Sequence, residues 1–282
     1  MYFDYYIAGS KIRLISEQNL VENEHAKKFR CENEDVPQVC CSLFPSTKLT
    51  KPSGKLVKSA LDIHLYESGE KLFLETVERK DYTPIFVCEY DKHACSDISL
   101  WLRDDLYPHT LRLQALWPAM DLPYQLLKQG TLILHSASIE VDGEAILFMA
   151  PSGIGKSTQA RLWEEFRSAK TLNGDKNAIF RKEGKFMAGG VPFCGTSHIC
   201  ENYESPLKAI VFLKQAKENQ IRRLKGMEAV KAVFENCFGH QKVLECMEGM
   251  MTIVTDLLQE IPVYELACTP DENAVVCLEK ML

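Results

Sequence analysis

A glycine-rich segment with a lysine lies near the middle of the chain, directly after a run of apolar residues. The sequence at 146–158 reads ILFMAPSGIGKST. It matches the phosphate-loop pattern GxxxxGK[ST], except that Ala150 stands in place of the first glycine. That first position mainly needs a small residue, so the match predicts a loop that binds the phosphates of a nucleoside triphosphate.

The chemistry of a polyphosphate explains these residue types and their spacing. Consecutive backbone N–H groups must curve around the anion, and the two glycines permit the backbone angles required. The helix that follows directs the positive end of its dipole at the phosphates. Lys156 is expected to reach the β- and γ-phosphates, and the Ser157 hydroxyl to bind Mg²⁺. The predicted phosphate-binding residues are Ser152, Gly153, Ile154, Gly155, Lys156, Ser157 and Thr158.

The strand that leads into this loop is predicted to form an antiparallel hairpin with the segment before it. Apolar residues flank Asp142-Gly143, a pair that favours a two-residue hairpin turn. If that turn forms, the register brings His135 opposite Ala150, the first residue of the loop. Two interpretations of His135 stay open, a structural histidine at a strand end or a functional group beside the phosphates.

A carboxylate follows the predicted loop helix after one short strand. Asp175 closes the segment Leu172-Asn173-Gly174-Asp175, and it should lie at the same edge of the sheet as the phosphate loop. A carboxylate there can bind Mg²⁺ or accept a proton from an attacking hydroxyl. The alternative is a turn residue, since Asn-Gly-Asp is favourable turn chemistry in its own right.

Taken together, these segments resemble the C-terminal catalytic domain of HPr kinase/phosphorylase and the wider phosphoenolpyruvate carboxykinase-like fold. The likeness covers residues 130–215, and it is closest to small kinase-like members, some of which accompany peptide-modifying gene cassettes. It implies that His135 and Asp175 lie beside the transferred phosphoryl group, with Asp175 as general base toward a serine-type hydroxyl. It also implies that Lys156 binds phosphate and that Ser157 and Asp175 bind the metal.

Two features depart from that group. Its members commonly carry two adjacent acidic residues where this chain has Asp175-Lys176, which counts against a second metal site and against reverse phosphorolysis. Residues 1–108 do not match the N-terminal domain of HPr kinase, which counts against HPr as the acceptor.

A second glycine-rich stretch, at 189–198, is predicted to connect two strands. It could close over an acceptor, with Thr196 and Ser197 contributing hydroxyl groups, or it could be a connector punctuated by proline and glycine. Cys194 in this stretch has no partner base at a suitable spacing and is interpreted as structural.

The elements around these residues predict an α/β fold. Residues 1–108 form a smaller β-rich domain in this interpretation, one that binds the substrate or a partner, because short alternating strands and hairpin turns dominate it. Residues 109–282 alternate strands and helices and are assigned to the nucleotide-binding kinase domain. The resemblance makes this second part a phosphoenolpyruvate carboxykinase-like P-loop core with a mixed sheet.

The composition argues against several classes of protein. The chain has 282 residues, 46% of them hydrophobic and 26% charged, which is typical of a folded domain. A net charge of −6 without a basic face counts against binding to nucleic acid or to a membrane. Eleven cysteines without a CxxC pair predict neither a disulfide framework nor a zinc site. Without a leader pattern or an apolar run of ~18 residues, a cytoplasmic protein is expected.

These features predict a Mg²⁺-dependent kinase that transfers the γ-phosphoryl group of ATP to a hydroxyl, on a Ser or Thr of a peptide or protein. The loop does not separate ATP from GTP. Two other functions stay open, a kinase of a small hydroxyl compound such as free serine and a nucleotide-dependent switch protein. A homo-oligomer is compatible with the sequence, which does not fix the oligomeric state.

Overall fold

The chain divides into two units in the computed structural model, which describes residues 1–94, 97–195, 197–241 and 243–282. The first unit comprises Met1–Gln129 with Gly239–Met247, and the second comprises Gly130–Phe238 with Glu248–Leu282. The predicted boundary near residue 108 lies inside the first unit, whose sheet is contacted by a helix that follows that point. Within the described residues, no helix is long and apolar enough to cross a membrane.

The first unit is built on an eight-stranded mixed sheet. Its strands are β1 (Tyr2–Ile7), β2 (Ser10–Ile15), β3 (Val39–Ser46), β4 (Lys55–Ala60), β5 (Ile63–Ser68), β6 (Lys71–Val77), β7 (Pro84–Asp91) and β8 (Asp97–Arg103). They lie in the order β1-β2-β3-β8-β7-β6-β5-β4. Strands β2, β3 and β8 are parallel, and the other neighbours are antiparallel.

Short helices complete the first unit, and one of them packs on its sheet. They are α1 (Glu24–Lys27), α2 (Leu113–Ala119) and α3 (Leu122–Lys128), with 3₁₀ turns at Asp104–Leu106 and His109–Leu111. Helix α2 contacts β6 and β7, and its buried Trp117 meets the Tyr5 ring edge-on at 5.1 Å. Between α2 and α3 the chain turns at Asp121, which has a φ of 54°.

The second unit contains the other eight-stranded mixed sheet. Its strands are β9 (Leu132–Val141), β10 (Glu144–Met149), β11 (Lys170–Asn173), β12 (Lys176–Lys182), β13 (Lys185–Gly190), β14 (Glu204–Gln215), β15 (Gln220–Leu224) and β16 (Val263–Cys268). The order is β10-β9-β12-β13-β14-β16-β15, with β11 on β9 and an additional β10–β14 pairing. Its helices are α4 (Lys156–Arg167), α5 (Gly226–Phe234), α6 (Leu244–Glu260, from Glu248 onward) and α7 (Glu272–Glu279).

The hairpin that leads to the glycine-rich loop has the predicted register. Strands β9 and β10 are antiparallel across Asp142-Gly143, with Val141 opposite Glu144 and Met149 opposite Ser136. Both strands alternate into a core with α4, whose Trp163 is buried beside Phe148. The α/β class predicted from the sequence is therefore confirmed at that level, as two large mixed sheets with helices.

Candidate active site

The glycine-rich loop connects the end of β10 to the first residue of α4. Gly153 and Gly155 have φ angles of 81° and 127°, which explains glycine at both positions. Gly155 is the N-cap of α4 and supplies no side-chain hydrogen bond to the helix. The first N–H groups of this twelve-residue helix therefore have no capping side chain, and they are available to an anion.

Lys156 is held inside the turn of this loop. Its side chain is almost buried, and Nζ donates a hydrogen bond of 2.8 Å to the Ala150 carbonyl oxygen. Burial lowers the pKa of Lys156, and the charge of Asp175 acts in the opposite direction. The ammonium group is thus close to the loop backbone and can exchange this carbonyl for a phosphate oxygen.

His135 and Asp175 lie together at the end of the hairpin. The distance from His135 Nε2 to Asp175 Oδ1 is 3.8 Å, and the histidine side chain is 40% exposed. The pKa of His135 is lowered by its partial burial and then by the charges of Lys156 and Lys176, while Asp175 raises it. The imidazole is therefore favoured in its neutral form, with one nitrogen able to accept a hydrogen bond.

The turn that carries Asp175 is fixed by a buried asparagine. Asn173 Oδ1 accepts hydrogen bonds from the backbone N–H groups of Asp175 (2.9 Å) and Lys176 (3.3 Å). Its Nδ2 donates to the carbonyl oxygens of Val191 and Phe193, each at 3.4 Å. Asn-Gly-Asp therefore forms a turn, as one interpretation of the sequence predicted. This turn fixes the position of the Asp175 carboxylate, so a structural turn and a functional carboxylate are compatible.

Lys176 neutralises one side of the candidate carboxylate. Its Nζ contacts Asp175 Oδ2, and the same ammonium lies 4.8 Å from the centre of the Phe238 ring. This lysine stands where the kinases that the sequence resembles commonly carry a second acidic residue next to the one at Asp175. Only Asp175 Oδ1, on the His135 side, is left without an ion-pair partner within hydrogen-bond distance among the described residues.

The second glycine-rich stretch packs directly on this turn. A Cβ added to Gly174 would lie 2.1 Å from Ser197 Oγ, and one added to Gly195 would lie 2.7 Å from Asp175 Cβ. Both glycines are needed because the two loops approach so closely. Ser197, a predicted acceptor-side residue, is therefore adjacent to the carboxylate turn, whereas Thr196 lies outside the described residues.

Two cavities adjoin the phosphate loop. One has a volume of about 300 Å³ and is lined by His135, by loop residues 150–152 and by residues 235–238. The other has a volume of about 370 Å³ and is lined by the far side of the loop, Gln159 and the chain after β16. The loop thus has open space on both of its sides.

Residues 236–238 form a wall of the first cavity that the sequence analysis missed. Asn236 accepts a hydrogen bond of 2.8 Å from the His135 backbone N–H, and Phe238 donates one of 2.8 Å to the Ile133 carbonyl. These are backbone contacts between segments distant in sequence. No spacing of side chains could have predicted these contacts.

The metal-ligand set is small. Within the described ranges, no group of three or more His, Cys, Asp or Glu residues is placed to hold a metal ion. Ser157 lies exposed on the first turn of α4, and Asp175 is the candidate carboxylate. Such a set fits Mg²⁺ bound mainly through phosphate oxygens and water, which is how this ion is usually held beside nucleotides.

Comparison with known proteins assigns the chain to a family through residues 104–282. The sequence model described as SynChlorMet cassette protein ScmC matches residues 104–282, well over half of the chain. The chain belongs to the ScmC family. No curated protein matches it significantly.

Among solved structures, the chain is similar to the Hpr(Ser) kinase/phosphatase from Coxiella burnetii. The two are 10% identical, and the match covers 53% of this chain and 92% of that chain with a TM-score of 0.32. A TM-score at this level decides nothing about the chemistry of the ScmC-family chain. The candidate site therefore depends on its own residues and geometry.

Proposed function

We propose that this ScmC-family chain is a Mg²⁺-dependent kinase with a P-loop core of the phosphoenolpyruvate carboxykinase-like type. It would transfer the γ-phosphoryl group of ATP to a Ser or Thr hydroxyl of a peptide or protein. The observation that carries this proposal is the burial and position of the Lys156 ammonium group. A nearly buried ammonium group is held on a loop carbonyl, at an uncapped helix start, where its charge acts on both His135 and Asp175.

The loop fits a triphosphate by its donors. The N–H groups at the start of α4 and Lys156 Nζ supply hydrogen bonds and positive charge to phosphate oxygens. Ser157 and Asp175 would hold Mg²⁺, which neutralises phosphate charge when bound. The cavity of about 370 Å³ beside Gln159 offers space for the nucleoside.

The residues around Asp175 then divide the chemical work. Asp175 Oδ1 would accept the proton of the attacking hydroxyl as general base, while Oδ2, which contacts Lys176, would be the oxygen that Mg²⁺ competes for when bound. Neutral His135 would orient the acceptor or the transferred group from the other side of that oxygen. Lys156 and the loop would stabilise the charge that develops on the phosphoryl oxygens.

The acceptor would be sought among products of the same cassette, because the family description calls these proteins cassette proteins. The purified chain is incubated with Mg²⁺ and γ-labelled ATP, with and without cassette-encoded peptides, and the products are separated by mass spectrometry. Label on a peptide Ser or Thr supports the proposal. Label on added free serine would instead identify a small-molecule kinase, and phosphate release that needs no acceptor would identify a switch protein.

Lys156→Met tests whether the loop carries this activity. We expect nucleotide binding to weaken at least about a hundredfold, since the buried ammonium group is the loop's only side-chain cation. Arg161→Met, on an exposed position of the same helix, is the matched control and should bind nucleotide normally. Unchanged binding by Lys156→Met in calorimetry would contradict the proposal.

A further inference from the structure

A strap crosses one face of the sheet in the first unit. Residues 47–54 leave β3 in the interior of the sheet and enter β4 at its far edge, past β8, β7, β6 and β5. We call these residues the strap. Its end is fixed at Gly54, where an added Cβ would lie 2.5 Å from the Glu67 carbonyl oxygen. The strap therefore lies close against β5 at one end and stands over the sheet before it.

Between the strap and the sheet lies a cavity of about 350 Å³ with an apolar floor. The floor consists of Phe73, Val87 and Trp101, from the middle strands of the sheet. Trp101 is stacked on Phe44, with 5.6 Å between ring centres, and Phe44 is 42% exposed. This face thus presents an aromatic groove to solvent, whereas alternate side chains of the same strands, among them Leu72, Leu74 and Leu100, are buried.

The groove is bordered by unusual charge. No acidic residue occurs between Asp35 and Asp62, whereas that interval contains four lysines. They are Lys48, Lys51, Lys55 and Lys58. The first three form no ion pair with an acidic side chain that the structure describes. The acidic side chains on neighbouring strands are already engaged, Glu67 with Lys92 and Glu89 with Lys71.

Lysines on edge strands often serve only to block pairing with other chains, and that explanation covers Lys55 on β4, while Lys58 on the same strand contacts His240. It does not cover Lys48 and Lys51, which lie on the strap, and Lys48 lines the groove itself. Lys51 Nζ lies 5.7 Å from the centre of the Tyr66 ring, so its charge faces the same side of the sheet. Positive charge beside an apolar groove complements a peptide that carries both carboxylates and an apolar side chain.

We propose that the strap groove docks an acidic segment of a peptide, with one aliphatic or aromatic side chain on the floor at Trp101. The carboxylates of that segment pair with Lys48 and Lys51. The role of this peptide as the phosphoryl acceptor rests on the proposed function, because a peptide is an acceptor only if the chain is a peptide kinase. The docking itself requires neither nucleotide nor metal.

The test uses a fluorescein-labelled twelve-residue peptide in which Glu alternates with Ser around a central Leu, and the full chain without nucleotide. Two matched peptides replace every Glu by Gln or the Leu by Ser. We expect fluorescence anisotropy to show binding of the first peptide that is at least about tenfold tighter than that of either control. Binding should weaken as salt is raised, because exposed charges are screened.

Lys48→Glu/Lys51→Glu should weaken binding of the acidic peptide at least about tenfold. The control Lys80→Glu/Lys280→Glu makes the same charge change at exposed positions elsewhere and should leave it unaltered. Trp101 also gives a direct signal, since Trp117 and Trp163 are buried. Peptide binding should change the intrinsic tryptophan fluorescence, and Trp101→Phe should abolish that change while largely preserving affinity.

Three outcomes would overturn the docking proposal. They are equal binding of the Glu and Gln peptides, equal effects of the two double variants, and binding to anionic phospholipid vesicles in place of the peptide. Failure of the kinase proposal gives a different result, namely tight peptide binding without transfer from ATP. Transfer to a peptide that lacks acidic residues, at an undiminished rate, would leave the kinase intact and show that the docked peptide is not the acceptor.

Discussion

Two histidine–aspartate pairs in this chain have the same groups and opposite surroundings. In the first unit, His240 Nε2 lies 2.6 Å from Asp121 Oδ2, and both side chains are buried. Tyr90 donates a second hydrogen bond of 2.5 Å to the same carboxylate oxygen, and Lys58 Nζ lies 3.0 Å from His240 Nδ1. Both ring nitrogens of His240 therefore have a partner.

The pair in the second unit is loose and open. His135 and Asp175 are 3.8 Å apart, and a cavity of about 300 Å³ adjoins the histidine. Lys156 and Lys176 both act on this pair, so two ammonium groups share one carboxylate. The excess positive charge is what a phosphate would neutralise.

The difference separates a structural pair from a candidate catalytic one. Burial raises the pKa of Asp121, but His240 and Tyr90 outweigh it and hold that pKa below its ordinary value. Such a closed pair stabilises the fold and leaves no atom for a ligand. The open pair contributes less to stability and retains both unused hydrogen-bonding capacity and space.

The largest expected effect is on phosphoryl transfer. Asp175→Asn should lower the transfer rate about a hundredfold or more, because it removes the proposed general base, while nucleotide binding persists. Asp121→Asn should leave the rate of the folded protein within about twofold. Single-turnover kinetics with labelled ATP measure both, and a fully active Asp175→Asn enzyme would show that the open pair is not catalytic.

Stability should respond in the opposite sense. Asp121→Asn should lower the free energy of unfolding by about 3 kcal/mol, because it removes a buried carboxylate that holds hydrogen bonds to both His240 and Tyr90. Asn is the suitable replacement, since it tolerates the φ of 54° at this position. Asp175→Asn should cost less than about 1 kcal/mol. Urea denaturation measures both values, and equal losses would remove the contrast between the pairs.

The stability effect should also depend on pH with a defined sign. The pKa of Asp121 is lower in the folded state than its ordinary value of 3.8, so the ionised carboxylate stabilises the folded state at any pH above that value. This stabilisation is lost as the pH falls through the pKa of the folded state. The stability difference between the wild type and Asp121→Asn should therefore be constant near neutral pH and shrink below about pH 4.

The contrast between the two pairs also shows what could be predicted from the sequence. The register that brings His135 toward Ala150 followed from a two-residue turn, because an antiparallel hairpin propagates its pairing residue by residue. The tight turn between β10 and α4 followed from its glycines, since Gly153 and Gly155 both have positive φ angles. Both are local features, because the backbone conformation of a hairpin turn or a tight loop depends on a few neighbouring residues.

The rest of the site depends on contacts across the chain. His240 contacts Asp121 although 119 positions separate them in the sequence. Residues 239–247 belong to the first unit through such long-range contacts. The close approach of Gly195 to Asp175 likewise needs the folded backbone. The strap groove was not predicted because residues 16–53, with Pro37, Pro45 and Pro52 among many polar residues, gave no basis for assigning an element.

A smaller effect is expected on metal affinity. Lys176→Met removes the cation that contacts Asp175 Oδ2 and keeps an apolar group near Phe238. Freed of this partner, Asp175 should bind Mg²⁺ about fivefold more tightly, the scale of one partly exposed ion pair. The Mg²⁺ dependence of ATP turnover measures this, with the exposed Lys170→Met as control. Unchanged dependence would mean that Lys176 does not compete with the metal.

The smallest effect is on the titration of His135 itself. Since burial, Lys156 and Lys176 lower the pKa of His135 below its ordinary value of 6.5, NMR should find its midpoint there. Lys156→Met should raise the midpoint, whereas Asp175→Asn should lower it further, because the carboxylate is the one group that raises it. The resonance is assigned by its loss in His135→Asn, and Arg161→Met should not move it. Shifts in the same direction for both charge changes would show that the cluster is not electrostatically coupled, and the open pair would then differ from the closed one only in exposure.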